Sequence, residues 1–153
     1  MDMSNLQPTR AHVTQYDRST GVPKLRVIIV EDSALIRARL TESLGEIENL
    51  EIVDLIDTEG AALTAMREGA WDAAVLDLQL KQGTGLGLLK ALAQGARRPD
   101  TKIIVFTNYA FPQYRDRSLA LGADYFFDKS REFHRVREVL QTLASGGNTA
   151  ATH

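Results

Sequence analysis

Cysteine is absent from the 153 residues. That excludes disulfide scaffolds, cysteine-based zinc sites and cysteine nucleophiles, and it fits a reducing compartment. An excess of charge of either sign is also missing: 18 Lys and Arg face 20 Asp and Glu, for a net charge of −2. Near-neutrality argues against a nucleic-acid binder that relies on a basic face. No apolar run approaches the roughly 18 to 20 residues of a membrane helix, and the first residues lack the basic-then-apolar pattern of a secretion signal. Internal repeats and low-complexity blocks are missing too. What is present is 44% apolar and 25% charged residues, over a length typical of one domain. An ordinary soluble, single-domain protein of the cytoplasm is expected.

Residues 1–23 are polar, with scattered apolar positions that follow neither period 2 nor period 3.6, and read as a flexible extension. Residues 145–153 read as a disordered tail, which leaves a folded body over 24–144. In that body, short apolar runs alternate with longer amphipathic stretches. Strands are expected at 25–30, 50–56, 73–76, 103–106 and 125–127. Ser33 is a plausible N-cap for a helix with Ile36, Leu40, Leu44 and Ile47 on one stripe. Asp57 or Thr58 caps a second helix that stops at Gly69, and a loop holding Gly83 and Gly85 leads to a third with Leu88, Leu89 and Leu92 inward. Pro112 introduces a fourth that ends near Gly122, and Phe133, Val136, Leu140 and Leu143 stripe a fifth. Five strands alternating with five helices imply a parallel sheet covered on both faces.

Ligands of such sheets bind beyond the carboxyl ends of the strands, where the strand order reverses. The residues there are Glu31 and Asp32 after the first strand, Asp77 after the third, Thr107 after the fourth and Lys129 after the fifth. Three converging carboxylates repel one another, and protonation of one group or binding of a hard cation relieves this; with oxygen ligands only, Mg²⁺ or Mn²⁺ is the natural guest. Thr107 and Lys129 opposite the cation complete a cradle for a tetrahedral anion. Asp77 between them is a carboxylate able to attack phosphorus.

In this order and at these spacings the residues resemble the receiver domains of bacterial two-component response regulators, single-domain chemotaxis-type members in particular. The motifs are Glu31-Asp32, Asp77, Gly85 eight residues on, Thr107 thirty residues after Asp77 and Lys129 twenty-two later. The resemblance covers about residues 25–143. It implies a flavodoxin-like doubly wound five-stranded parallel sheet with five helices. Asp77 would accept a phosphoryl group from a sensor histidine kinase or histidine phosphotransfer protein. Mg²⁺ would be held by Glu31, Asp32, Asp77 and the backbone carbonyl of Gln79, while Thr107 and Lys129 grip the phosphoryl oxygens. Thr107 and Phe126 would be the switch pair, and Gln79 and Tyr109 the positions that tune hydrolysis. Such a chain is a phosphoacceptor that catalyses its own phosphotransfer and dephosphorylation, not an enzyme for other substrates. Output would pass to a downstream protein target, with no direct DNA binding and no membrane contact; a homodimer is left open.

The sequence departs from the family at several positions. Ser130 follows Lys129 where proline is usual, so a cis peptide is not expected there and the loop is expected to be set differently. Lys81 stands four residues after Asp77 in place of proline, and Asn108 is bulkier than the usual small residue. A haloacid-dehalogenase-type phosphatase would need a second Asp two residues after Asp77, where Gln79 stands. A phosphorylation-independent adaptor with the same fold is the alternative function. The glycines at 83, 85 and 87 are out of register for a dinucleotide fingerprint and read as turn and helix-start chemistry. Trp71 is expected to pack under a helix end, and His12, His134 and His153 have no metal-ligand spacing.

Overall fold

The structure, a computed structural model, describes residues 23–95 and 97–146. The extension expected over 1–22 and the tail from 147 lie outside the described residues. The chain runs β1 (Leu25–Val30), α1 (Ala34–Gly45), β2 (Leu50–Ile56), α2 (Glu59–Glu68), β3 (Ala73–Leu76), α3 (Gly85–Ala93), β4 (Lys102–Thr107), α4 (Pro112–Ala120), β5 (Tyr125–Asp128) and α5 (Phe133–Ala144). All strand pairs are parallel, in the order β2-β1-β3-β4-β5.

Side chains alternate along each strand, so the sheet feeds two cores. Ile28, Val30, Ala74, Leu76, Ile103, Val105 and Phe126 face α2 and α3, where Ala62, Met66, Leu88, Leu89 and Leu92 meet them. Val27, Ile29, Ala73, Val75, Ile104, Phe106, Tyr125 and Phe127 face α1 and α5, against Leu40, Leu44, Val136 and Leu140. Strands buried on both faces read as unbroken apolar runs, as β1, β3 and β4 do.

Capping follows the sequence signals. Ser33 accepts the Ile36 N–H and Thr58 accepts that of Ala61, while Pro112 opens α4. Trp71 is buried and donates its indole N–H to the Met66 carbonyl at the end of α2. Ile47 is buried, but in the turn beyond the end of α1. β2 carries one extra residue opposite β1, a bulge between Ile52 and Asp54.

α4 is packed most lightly. Its one buried residue is Ser118, whose hydroxyl has no hydrogen-bond partner among the described residues. Just past its C-terminal end Arg97 acts as a staple. The guanidinium donates to the carbonyls of Thr101 and Gly122, to the Thr101 hydroxyl and to Asp124. Among the described residues no helix is long and apolar enough to cross a membrane.

Candidate functional site

Strand order reverses between β1 and β3, so the loops leaving these two strands diverge and open a crevice at their carboxyl ends. Into it β1 sends Glu31 and Asp32, and β3 sends Asp77. Their carboxylate oxygens lie within 4.8 Å of one another. Glu31 and Asp77 are buried and Asp32 is exposed.

The ammonium of Lys129, delivered by the turn after β5, sits 2.5 Å from Glu31 Oε1 and 2.7 Å from Asp77 Oδ2. Each carboxylate is also held by the backbone: Ser33 N–H donates to Glu31 Oε2 at 3.0 Å, and Leu78 N–H donates to Asp77 Oδ1 at 2.7 Å. Arg37 fixes the Glu31 main chain by donating to its carbonyl. Burial raises the Glu31 carboxyl above the usual range, against the hydrogen bonds from Lys129 and Ser33. Burial alone would lower the Lys129 pKa, but its hydrogen bonds to Asp77 and Glu31 outweigh this and raise it. An ammonium between two carboxylates within 3 Å is held in its charged form.

Thr107 is fully buried at the end of β4, and its Oγ1 accepts the Tyr109 N–H at 3.0 Å. Its carbonyl accepts the Lys129 N–H, so the hydroxyl and the ammonium come from adjoining strand ends. The turn carrying Lys129 contains no proline. Asp128 Oδ1 accepts both the N–H and the hydroxyl of Ser130, bonds that hold the Asp128 carboxyl below its ordinary value. Asp128 N–H in turn donates to Glu132, and all peptides among the described residues are trans. Phe126 is buried, on the face of the sheet whose core also holds Val105 and Ala123. Gln79 is exposed, and with Leu78, Thr84, Leu86, Tyr109 and Tyr114 it lines a cavity of about 190 Å³. Gln79 and Tyr109, the two positions that the resemblance links to hydrolysis, thus line the same cavity. Asn108 and Lys81 are both exposed.

Gly85 has a reason of its own. A Cβ there would lie 2.2 Å from the Asp77 carbonyl oxygen and 2.8 Å from Leu78 Cα, both backbone atoms that cannot yield. The start of α3 therefore rests against the main chain of Asp77, tied by Gly85 N–H to the Leu78 carbonyl at 2.9 Å. Gly85→Ala is expected to cost about 2 kcal/mol by overpacking. An unchanged urea midpoint would contradict this close approach.

Three carboxylates and one ammonium leave the crevice with two negative charges. A divalent cation would cancel them, and Asp32 has an accessible carboxylate with no ion-pair partner among the described residues. The donor set is all oxygen, which suits Mg²⁺. An Asp beside an ammonium, with a hydroxyl on the neighbouring strand end and carboxylates that could hold a cation, has the groups that phosphoryl transfer to a carboxylate requires.

Several known proteins are similar to this chain. The two-component response regulator PhoP of Pseudomonas aeruginosa is 33% identical over 120 residues, 78% of this chain and 51% of PhoP. A protein-glutamate methylesterase/protein-glutamine glutaminase of Methanospirillum hungatei is 29% identical over 115 residues, 75% of this chain and 34% of that protein. The chain thus spans about a third to a half of these relatives. Among solved structures, the signal receiver domain of NarL from Mycobacterium tuberculosis superposes with a TM-score of 0.71 at 22% identity, covering 80% of this chain and 98% of that one. The family model of the response regulator receiver domain matches residues 27–141, and the chain belongs to that family.

Proposed function

We propose that Asp77 is the phosphoacceptor of a two-component pathway, charged by a sensor histidine kinase or a histidine phosphotransfer protein. The observation that carries this reading is the meeting of Glu31, Asp77 and Lys129 within 3 Å at the β1/β3 crevice, with Asp32 beside them. An Asp77 oxygen attacks phosphorus as the P–N bond of the phosphohistidine breaks. The electron pair leaves on the imidazole nitrogen, which takes a proton from solvent. Glu31, Asp32, Asp77 and the Gln79 carbonyl would hold Mg²⁺, which when bound neutralises phosphoryl oxygens and fixes their orientation. Lys129 would exchange part of its contact with Asp77 for a phosphoryl oxygen, and Thr107 would turn its hydroxyl from the Tyr109 N–H toward another.

Coupled to a movement of the Phe126 ring, that turn makes Thr107 and Phe126 the proposed switch. The readout is a protein target that recognises the altered surface; this exchange is proposed for the cytoplasm. Incubation with acetyl phosphate and Mg²⁺ is expected to add one phosphoryl group by intact mass, and a chelator to abolish the gain. Absence of any gain would overturn the reading in favour of a phosphorylation-independent adaptor.

A further inference from the structure

Gly83, Gly85 and Gly87 alternate through the entry to α3. Gly85 is explained by the Asp77 backbone; the other two make room for the side chain of Glu59, the first residue of α2. A Cβ on Gly83 would lie 2.4 Å from Glu59 Cβ, and one on Gly87 would lie 2.5 Å from Glu59 Oε1. In this notch Glu59 Oε1 accepts the backbone N–H of Thr84 at 2.8 Å. Thr84 is the N-cap of α3, and its Oγ1 accepts the Gly87 N–H at 2.9 Å.

In a capping box the third helical residue is a Glu or Gln that reaches back to the N-cap N–H. Here that third position is Gly87, which has no side chain to offer, and the carboxylate arrives from the neighbouring helix. Main-chain bonds join the same two segments: Glu59 N–H to the Gln82 carbonyl at 2.9 Å, and Lys81 N–H to the Asp57 carbonyl at 3.0 Å. The loop so held, residues 79–84, is closed on itself by a bridge between Gln79 and Thr84 and begins two residues past Asp77.

We propose that Glu59 is a positioning residue. By completing the capping box of α3 from α2, it fixes the backbone of residues 79–84, and with it the Gln79 carbonyl presented to the divalent cation. The proposal rests on the reading of the Asp77 crevice as a Mg²⁺ site. Glu59 stands outside the carboxylate cluster and acts through the loop. A loop that spends less time in the competent arrangement weakens apparent affinity in proportion.

The test is a Mg²⁺ titration without phosphodonor, followed by the amide NMR signals of Leu78 and Gly85, on the wild type, Glu59→Ala, Glu59→Gln, Gly87→Ala and the double variant Glu59→Ala/Gly87→Ala. Glu59→Ala is expected to raise the half-saturating Mg²⁺ concentration up to about fivefold, the factor matching one helix-cap interaction. Glu59→Gln keeps an acceptor oxygen and should restore most of the affinity. Gly87→Ala improves helix propensity yet pushes the Glu59 carboxylate aside, so it should weaken Mg²⁺ as Glu59→Ala does. The double variant should bind no more weakly than either single. Unchanged Mg²⁺ midpoints alongside a lowered Tm, or fully additive losses, would overturn the proposal. A wild type whose amides ignore Mg²⁺ would overturn the metal-site reading itself and remove the proposal with it, so the two failures are distinguishable.

Discussion

Asp77→Asn is expected to gain no mass from acetyl phosphate and Mg²⁺ under conditions where the wild type gains one phosphoryl group, and to fold as well as the wild type. The amide oxygen of the variant still accepts the Leu78 N–H that holds Asp77 Oδ1 at 2.7 Å, while its NH2 replaces Oδ2 and gives up the contact with the Lys129 ammonium. Removing one carboxylate from a buried cluster of three relieves repulsion, and Lys129 keeps its ion pair with Glu31. What is lost is the anionic oxygen that attacks phosphorus, together with one ligand of the cation. Thermal unfolding run beside the mass measurement separates loss of chemistry from loss of fold. A phosphorylated Asn variant would move the acceptor to another residue.

Lys129→Met is expected to have the largest effect on stability, a loss of about 3 to 5 kcal/mol at pH 7. The side chain of Lys129 is 7% exposed, and those of Glu31 and Asp77 are 3% and 6% exposed. Deleting the ammonium strands two carboxylates in a place water barely reaches. Two conditions should shrink the loss. Saturating Mg²⁺ supplies the missing positive charge and should stabilise the variant more than the wild type. Acid should do so as well, because Glu31, already drawn upward by burial, takes up a proton.

The alkaline side follows from the raised pKa of Lys129. Its contribution is fully present below the ordinary lysine pKa and is lost as pH rises through the raised one, so the gap between wild type and variant should narrow above about pH 10.5. Urea denaturation from pH 5 to pH 11, with and without Mg²⁺, reads all three effects. A variant as stable as the wild type at pH 7 would show that Lys129 does not compensate the buried carboxylates.

The sheet and its crevice were legible in the sequence because each relevant signal is local. β-branched runs mark β1 and β4, Ser33, Thr58 and Pro112 mark helix starts, and the five polar residues stand where strands end. Glu59 was not legible. Its effect depends on α2 and α3 beginning side by side, a contact across 25 residues of sequence whose only trace is glycine at positions 83 and 87. Arg97 escaped for a similar reason: four hydrogen bonds from one guanidinium join loops that look unrelated in the chain. The bulge in β2 left no mark either, since Val53 is as strand-like as its neighbours.

The light packing of α4 has a thermodynamic corollary. Of its own apolar side chains only Tyr114 packs against the core, and the serine it buries would regain a hydrogen bond from water on detachment. The helix is thus held lightly along its length, whereas Arg97 pins the chain immediately after it through Gly122 and Asp124. Local opening is then expected to begin at the Pro112 end, where Tyr114 is the apolar anchor, and to leave the Leu121 end in place. A fluctuation of this kind draws on the low end of the range of opening free energies within a domain. An event at Thr107, just upstream of the free end, needs to supply only a small bias to change which face α4 presents.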